Sequence, residues 1–458
     1  MISGKAIREL TRILGPERIS TRPDMLEHYG TDATKLAYPP DAVAFPCHIQ
    51  EIADILALAH KERFPVVPRG AGSGKSGGAL PVRGGLILVM DRFDRILEID
   101  ENNLIAKVES GVITAHLQEA VEKLGLFYPP DPASIHISTM GGNVAECAGG
   151  LRAVKYGVTR DYVLGLTVVL PTGKIISTGV ETAKGVVGYD LTRLLIGSEG
   201  TLAVIVDITV RLIPKPPFTR TMLAFFRDPP STVRAVSEII RSKVVPTALE
   251  FMDRSCMECV RDDIGFPVPE SAGALLLIEV DGDKALTRRE AGTVQEICAQ
   301  GGAVHFEAAS GKKKGERLWE ARRNVSNAVY KLKPDKVSED VVVPRNRMAD
   351  LVSFINALSK ACGLPMPVYG HAGDGNIHVN IMLDKRIPEE VRKADGAVKE
   401  IFEKVLEMKG TLSGEHGIGI TKAPYLDMEI SQPARDLMIR VKKAFDPKGI
   451  LNPGKIFL

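Results

Sequence analysis

Three features that often announce a function are missing from this chain. No apolar run approaches the ~20 residues a helix needs to cross a bilayer; the longest, at residues 162–170 and 272–280, are far shorter. No charge dominates, because 59 basic against 57 acidic residues leave a formal net charge of +2, too little for a nucleic-acid-binding field. Cysteine is sparse and scattered. Of six, only Cys256-x-x-Cys259 forms a close pair. One such pair without a second, or a histidine nearby, is weak support for metal or redox work, and no spacing suits an iron–sulfur cluster. The start, Met1-Ile-Ser-Gly-Lys-Ala-Ile-Arg, reads as a short amphipathic helix rather than a secretory signal. Cytoplasmic residence is expected, with peripheral docking at the inner membrane through a partner left open.

What is present is an ordinary globular composition, 44% hydrophobic and 25% charged over 458 residues, enough for two or three domains. Strands are expected at residues 41–46, 65–68, 86–90 and 105–109, with helices at 3–14, 50–62 and 114–124 between them. This mixture argues for α+β layers rather than a bundle or barrel. The prolines of Pro214-Lys-Pro-Pro217 favour an extended linker, so a domain boundary is expected there, giving domains 1–216 and 217–458.

The densest signal is Pro68-Arg-Gly-Ala-Gly-Ser-Gly-Lys-Ser-Gly-Gly-Ala79. Glycine lets backbone amides approach and converge on phosphate oxygens. Gly72-x-Gly74-x-x-Gly77 mimics the dinucleotide fingerprint and Gly74-Lys75-Ser76 the end of a Walker loop, but a Walker loop needs glycine where Arg69 stands. Both motifs also need a helix next, and Pro81 and Gly84-Gly85 oppose one. A glycine loop between strands survives as the reading. Two further glycine-rich stretches, at 138–150 and 197–201, lie beside strands. One large ligand held by main-chain groups accounts for all three.

In the second half, Val368-Tyr-Gly-His-Ala-Gly-Asp-Gly-Asn-Ile-His-Val-Asn-Ile381 reads as two short strands around a turn at 372–376. Period two puts His378 and Asn380 on one face, and a tight turn brings His371 near His378. Paired imidazoles suit Zn²⁺ or a related metal, yet a pair seven apart is also a common structural feature. Ser413-Gly-Glu-His-Gly-Ile-Gly419 supplies a carboxylate, Glu415, and a further imidazole, His416.

Together these motifs, with residues 445–455, resemble the FAD-linked flavoproteins of the vanillyl-alcohol oxidase type. Within that family the likeness is to D-lactate dehydrogenases, glycolate oxidase flavin subunits and D-2-hydroxyglutarate dehydrogenases. The resemblance spans nearly the whole chain, in the family's order. It implies an α+β fold: a two-subdomain FAD-binding domain, then an antiparallel-sheet substrate (cap) domain with helices whose tail returns to the first.

The resemblance implies FAD contacts from Arg69, Gly70, Ala71, Gly72, Ser73, Gly74, Ser76 and Gly77 in the first loop. Pro132, Ser138, Thr139, Gly141, Gly142, Asn143, Ala148 and Gly149 follow, with Glu199, Gly200, Ile205 and Asn452 beyond them. No loop histidine is available for a covalent bond to flavin, so FAD is expected to be non-covalent. Lys75 and the Glu146-Cys147 pair depart from the family's usual residues.

The resemblance further implies a divalent metal held by His371, His378 and Glu415, with Zn²⁺ the first choice and Fe²⁺ or Mn²⁺ compatible. It makes His416 the base and gives the substrate carboxylate to Arg322, with contacts from Ser326 one helical turn later and from Asn380. The expected activity is oxidation of a D-2-hydroxy acid of the D-lactate or glycolate type. No secure counterpart exists for the lysine that binds a distal carboxylate, which weighs against 2-hydroxyglutarate, and a D-2-hydroxyglutarate-type dehydrogenase is kept as the alternative. Electrons need a separate acceptor: an iron–sulfur subunit, an electron-transferring flavoprotein, a cytochrome or quinone. A homodimer or a subunit of a larger complex is expected. The competing class is a flavin-free metal hydrolase with structural glycine loops.

Overall fold

The structure, a computed structural model, describes residues 1–182, 184–264, 268–309 and 312–457. Ala183, residues 265–267 and 310–311, and Leu458 fall inside the expected domains but lie outside the described residues. The chain forms two compact units. The first comprises Met1–Gly149, Val158–Lys215 and Glu415–Leu458, and the second Gly150–Gly157 and Pro216–Gly414.

Among the described residues the first unit holds eleven strands: β1 (Ile19–Ser20), β2 (Ala42–Ala44), β3 (Val66–Arg69), β4 (Leu86–Val89), β5 (Ile96–Asp100), β6 (Ile105–Glu109), β7 (Leu126–Phe127), β8 (Val163–Val169), β9 (Ile175–Gly179), β10 (Val204–Arg211) and β11 (Ile213–Pro214). They form a four-stranded sheet β1-β2-β4-β3, a five-stranded sheet β5-β6-β10-β8-β9 and a small β11-β7 ribbon. β3 and β4 are parallel neighbours, so the long glycine loop between them is a crossover without a helix, as the prolines and glycines demand. The helix Gly4–Leu14 starts where Ser3 accepts a hydrogen bond from the Ala6 amide, and it buries Ala6, Leu10 and Leu14 at four-residue spacing. These side chains join Ile52, Ile55 and Leu56 of the helix Ile49–Glu62 in one core with β2, β3 and β4.

The second glycine-rich stretch is not a loop. Met140–Glu146 is a short helix whose cap, Thr139, accepts from the Gly142 amide at 3.2 Å. The cap hydroxyl offsets the poor helix propensity of Gly141-Gly142. The helix stops at Cys147, held at φ 53°.

The second unit is built on one seven-stranded sheet from β12 (Phe218–Phe226), β13 (Ala248–Asp253), β14 (Ala274–Gly282), β15 (Ala303–Ala308), β16 (Asp335–Val342), β17 (Val368–His371) and β18 (Asn376–Leu383). Its order is β15-β12-β14-β13-β17-β18-β16, and every pairing is antiparallel. Asn376 belongs to β18 rather than to the turn, because it pairs with His371 across the hairpin. Helices Pro229–Arg241, Lys284–Gln300 and Pro388–Glu407 pack on this sheet. Another core joins Leu223, Met252 and Leu275 to Trp319, Ala321 and Val325 of the helix Lys312–Ala328. That packing carries Arg322 to the sheet. Among the described residues no helix is long and apolar enough to cross a membrane.

Candidate active site

In the first unit, a cavity of about 230 Å³ runs along the glycine loop, the helix after Thr139 and the Glu199-Gly200 turn. Seventeen of the twenty expected cofactor residues line it, and Ser76, Gly77 and Asn452 stand behind the wall. Gly70 is required there: a Cβ would sit 2.3 Å from Thr139 Oγ1. At Gly74 the nearest neighbour of a Cβ is Glu146 Oε1 at 4.0 Å, so a side chain there would enter the open space. Among the described residues, the amides of Ala71 through Lys75 donate to no backbone carbonyl. Ser110 Oγ, also in the wall, is buried without a hydrogen-bond partner. Free amides, an orphaned hydroxyl and side-chain-free glycines fit a phosphate-bearing dinucleotide.

The C-terminal segment is woven into this wall. Ile420 N donates to Ser76 O at 2.8 Å. The amides of Ile418 and Gly419 donate to the Glu199 carboxylate at 2.7 Å each. Asn452 Nδ2 donates to Gly78 O and Glu199 O. Glycines 417 and 419 take φ of 81° and 50°, and Cβ atoms there would meet Glu146 Oε2 at 2.4 Å and Ser76 O at 2.0 Å. Glu415 and His416 both line the cavity, and Glu415 Oε2 would lie 2.6 Å from a Cβ on Gly149.

Charge is concentrated there. Burial, then the neighbouring Glu199, holds the Glu146 carboxyl well above the ordinary range. Burial likewise raises Glu199, against the pull of the Ile418 and Gly419 amides. Lys455 answers this pair, and its own burial lowers it to about 8. Burial lowers Arg69 and Lys75 and raises Asp32, all three in the wall. Sequence reasoning passed over Asp32, Glu146 and Lys455 as binding residues. Only the unusual Glu146-Cys147 pair hinted at one of them.

In the second unit, strand register assembles a polar face. Glu250 pairs with His371, Tyr369 with His378, Asp340 with His378 from the other side, and Ser338 with Asn380. Directly opposed residues share a face, so these side chains converge. His371 Nδ1 lies 2.7 Å from Glu250 Oε1, and His378 Nδ1 lies 3.5 Å from Asp340 Oδ1. The two Nε2 atoms face each other at 3.4 Å. Glu250 and Asp340 are fully buried.

With a proton on each Nδ1 toward its carboxylate, both Nε2 atoms carry lone pairs 3.4 Å apart. A cation relieves that repulsion. Two nitrogens about 2.05 Å from a tetrahedral metal stand about 3.3 Å apart, close to the observed span. The donor set therefore fits a divalent metal of the zinc kind.

Arg322 reaches the same carboxylate, with Nε 2.8 Å and Nη2 2.6 Å from Glu250 Oε2. Its guanidinium also stacks 4.8 Å from the Tyr369 ring centre. Burial pushes the Tyr369 phenol up, while Ser326, Arg322 and Asn380 pull it back. Ser326 Oγ accepts from Lys336 Nζ at 2.9 Å. Glu250, Asp340, Tyr369 and Lys336 were all missed by sequence reasoning. A lone glutamate inside the apolar strand Ala-Leu-Glu-Phe-Met was the available signal for Glu250.

Comparison with known proteins decides the family. Residues 40–179 match the FAD binding domain, and residues 215–456 match the C-terminal domain of FAD linked oxidases. The chain belongs to the FAD-linked oxidase family. It is 44% identical over 458 residues to the glycolate oxidase subunit GlcD of Bacillus subtilis (strain 168), covering 100% of this chain and 97% of the relative. It is 33% identical to the D-lactate dehydrogenase of Anaerostipes hadrus, over 97% of this chain and 95% of that one. Among solved structures, p-cresol methylhydroxylase aligns with a TM-score of 0.81 at 18% identity, covering 99% of this chain and 96% of that one, a likeness of fold. The protein is thus an FAD-linked oxidoreductase, with the two-domain fold the family resemblance implied.

Proposed function

We propose that this protein oxidises a small D-2-hydroxy acid, of the D-lactate or glycolate type, to the 2-oxo acid. The observation that supports it most is the facing pair of carboxylate-anchored imidazoles at 3.4 Å, beside a buried arginine, in an FAD-linked oxidoreductase. The names of the glycolate oxidase and D-lactate dehydrogenase relatives favour the same substrate class.

In this reading the backbone of the glycine loop and the Glu199-Gly200 turn hold FAD non-covalently, within domains of about 1–216 and 217–458. His371, His378 and Glu415 hold a divalent metal, Zn²⁺ first. When bound, FAD supplies the hydride acceptor and the metal a Lewis acid that acidifies the substrate hydroxyl. Arg322 takes the substrate carboxylate in a planar fork, with Ser326 and Asn380 fixing its orientation. His416 is placed to take the hydroxyl proton as general base when the Cα–H leaves as hydride. The electrons pass to a separate carrier, an iron–sulfur subunit, an electron-transferring flavoprotein, a cytochrome or quinone, in keeping with relatives named as subunits.

Anaerobic addition of D-lactate or glycolate to the yellow protein should bleach its flavin. A panel of D- and L-2-hydroxy acids that all leave the flavin oxidised would reject the reading. A colourless preparation would favour the hydrolase instead.

A further inference from the structure

Glu250 sits at the centre of β13 with none of its surface exposed, and its two oxygens do different work. Oε1 meets His371 Nδ1 at 2.7 Å, and Oε2 meets Arg322 Nε at 2.8 Å and Nη2 at 2.6 Å. Asp340, the acid beside His378, accepts from Asn376 Nδ2 at 2.5 Å and Gly414 N at 2.9 Å. His371 shares its acid with an arginine.

The geometry points to Glu250 as a positioning residue that couples the two halves of the site, holding His371 in its metal-binding tautomer while fixing the plane of Arg322 for the substrate carboxylate. This rests on the metal and substrate roles proposed above. The chemistry needs both oxygens as acceptors. A proton on His371 Nδ1 leaves Nε2 as a lone pair, and only an acceptor opposite Nδ1 enforces that. Arg322 spends its Nε edge on the same group, which leaves the rest of the fork for a ligand. Glutamine cannot replace it, because turning its one oxygen to His371 points an NH₂ at a guanidinium that has no acceptor to offer.

The test compares chelator-treated wild type with Glu250→Gln and Arg322→Met, titrating each with Zn²⁺ against a competing indicator and then measuring substrate dependence of flavin bleaching at saturating metal. Glu250→Gln should bind Zn²⁺ about 10- to 100-fold more weakly and also raise the substrate concentration for half-maximal bleaching at least about tenfold. Arg322→Met should keep Zn²⁺ affinity within about threefold while losing the bleaching, since the partner of His371 remains. FAD content should be unchanged in both. If Glu250→Gln fails to fold, Glu250→Asp, with two acceptors on a shorter arm, must show the same paired losses. Wild-type Zn²⁺ affinity in the Glu250 variant, or a metal loss without a substrate effect, overturns the coupling. A wild type that binds no Zn²⁺ overturns the metal reading beneath it.

Discussion

In the first unit the cavity wall combines glycines and main-chain amides with a few buried charged side chains, whereas the polar face of the second unit's sheet is made of side chains set by strand register. The two surfaces fail in different ways. A backbone cradle depends on close approach, so it is lost by adding atoms. A side-chain constellation depends on paired donors and acceptors, so it is lost by removing them. Buried charge differs as well: the first unit balances two raised carboxyls against Lys455, while the second sets Glu250 directly against Arg322.

The largest effect should come from separating binding from chemistry. His416→Ala should leave the protein yellow, because the FAD cradle is backbone, yet slow anaerobic flavin reduction by a D-2-hydroxy acid about 10²- to 10⁴-fold in stopped flow. Fast reduction in that variant would remove His416 from the mechanism.

Next come opposite pH slopes in the two units. Lys455 titrates near 8 in the fold, because burial disfavours its charge, against about 10.4 when unfolded. The unfolded chain binds the extra proton between those values, so stability should rise with pH there, by about 3 kcal/mol in all. Asp253 in the second unit is raised by burial to about 6, so from about pH 4 to 6 the folded state holds the proton and stability should fall as pH rises. Urea unfolding of Lys455→Met and Asp253→Asn should flatten each slope separately. A wild-type slope in either variant would assign the titration to another group.

Smaller effects test the cradle itself. Gly419→Ala places a Cβ 2.0 Å from Ser76 O at φ 50° and should cost about 2 kcal/mol or more, with weakened FAD retention. Gly363→Ala in the second unit, at φ 72° with nothing within 4 Å, should cost only about 1 kcal/mol and leave FAD alone. Equal costs in urea titrations would mean that close approach does not explain Gly419.

Much of the architecture was legible from local patterns. The amphipathic pattern of the first residues marked the first helix, and Pro81 with Gly84-Gly85 excluded a nucleotide loop of the helix-requiring kind. The alternation of Ile377, Val379 and Ile381 against His378 and Asn380 set their face. The reading of 138–150 as a loop missed the helix, since glycine propensity outweighed the Thr139 cap in the sequence but not in the fold.

By itself, the chain's order of residues determined where backbone comes close and which side chains share a strand face, because both follow from short-range geometry. Only the tertiary structure decided that Glu250, 121 residues before His371, lies against its ring, or that Lys455 answers Glu199. Partners so distant in sequence are chosen by strand pairing and burial, and neither leaves a local trace.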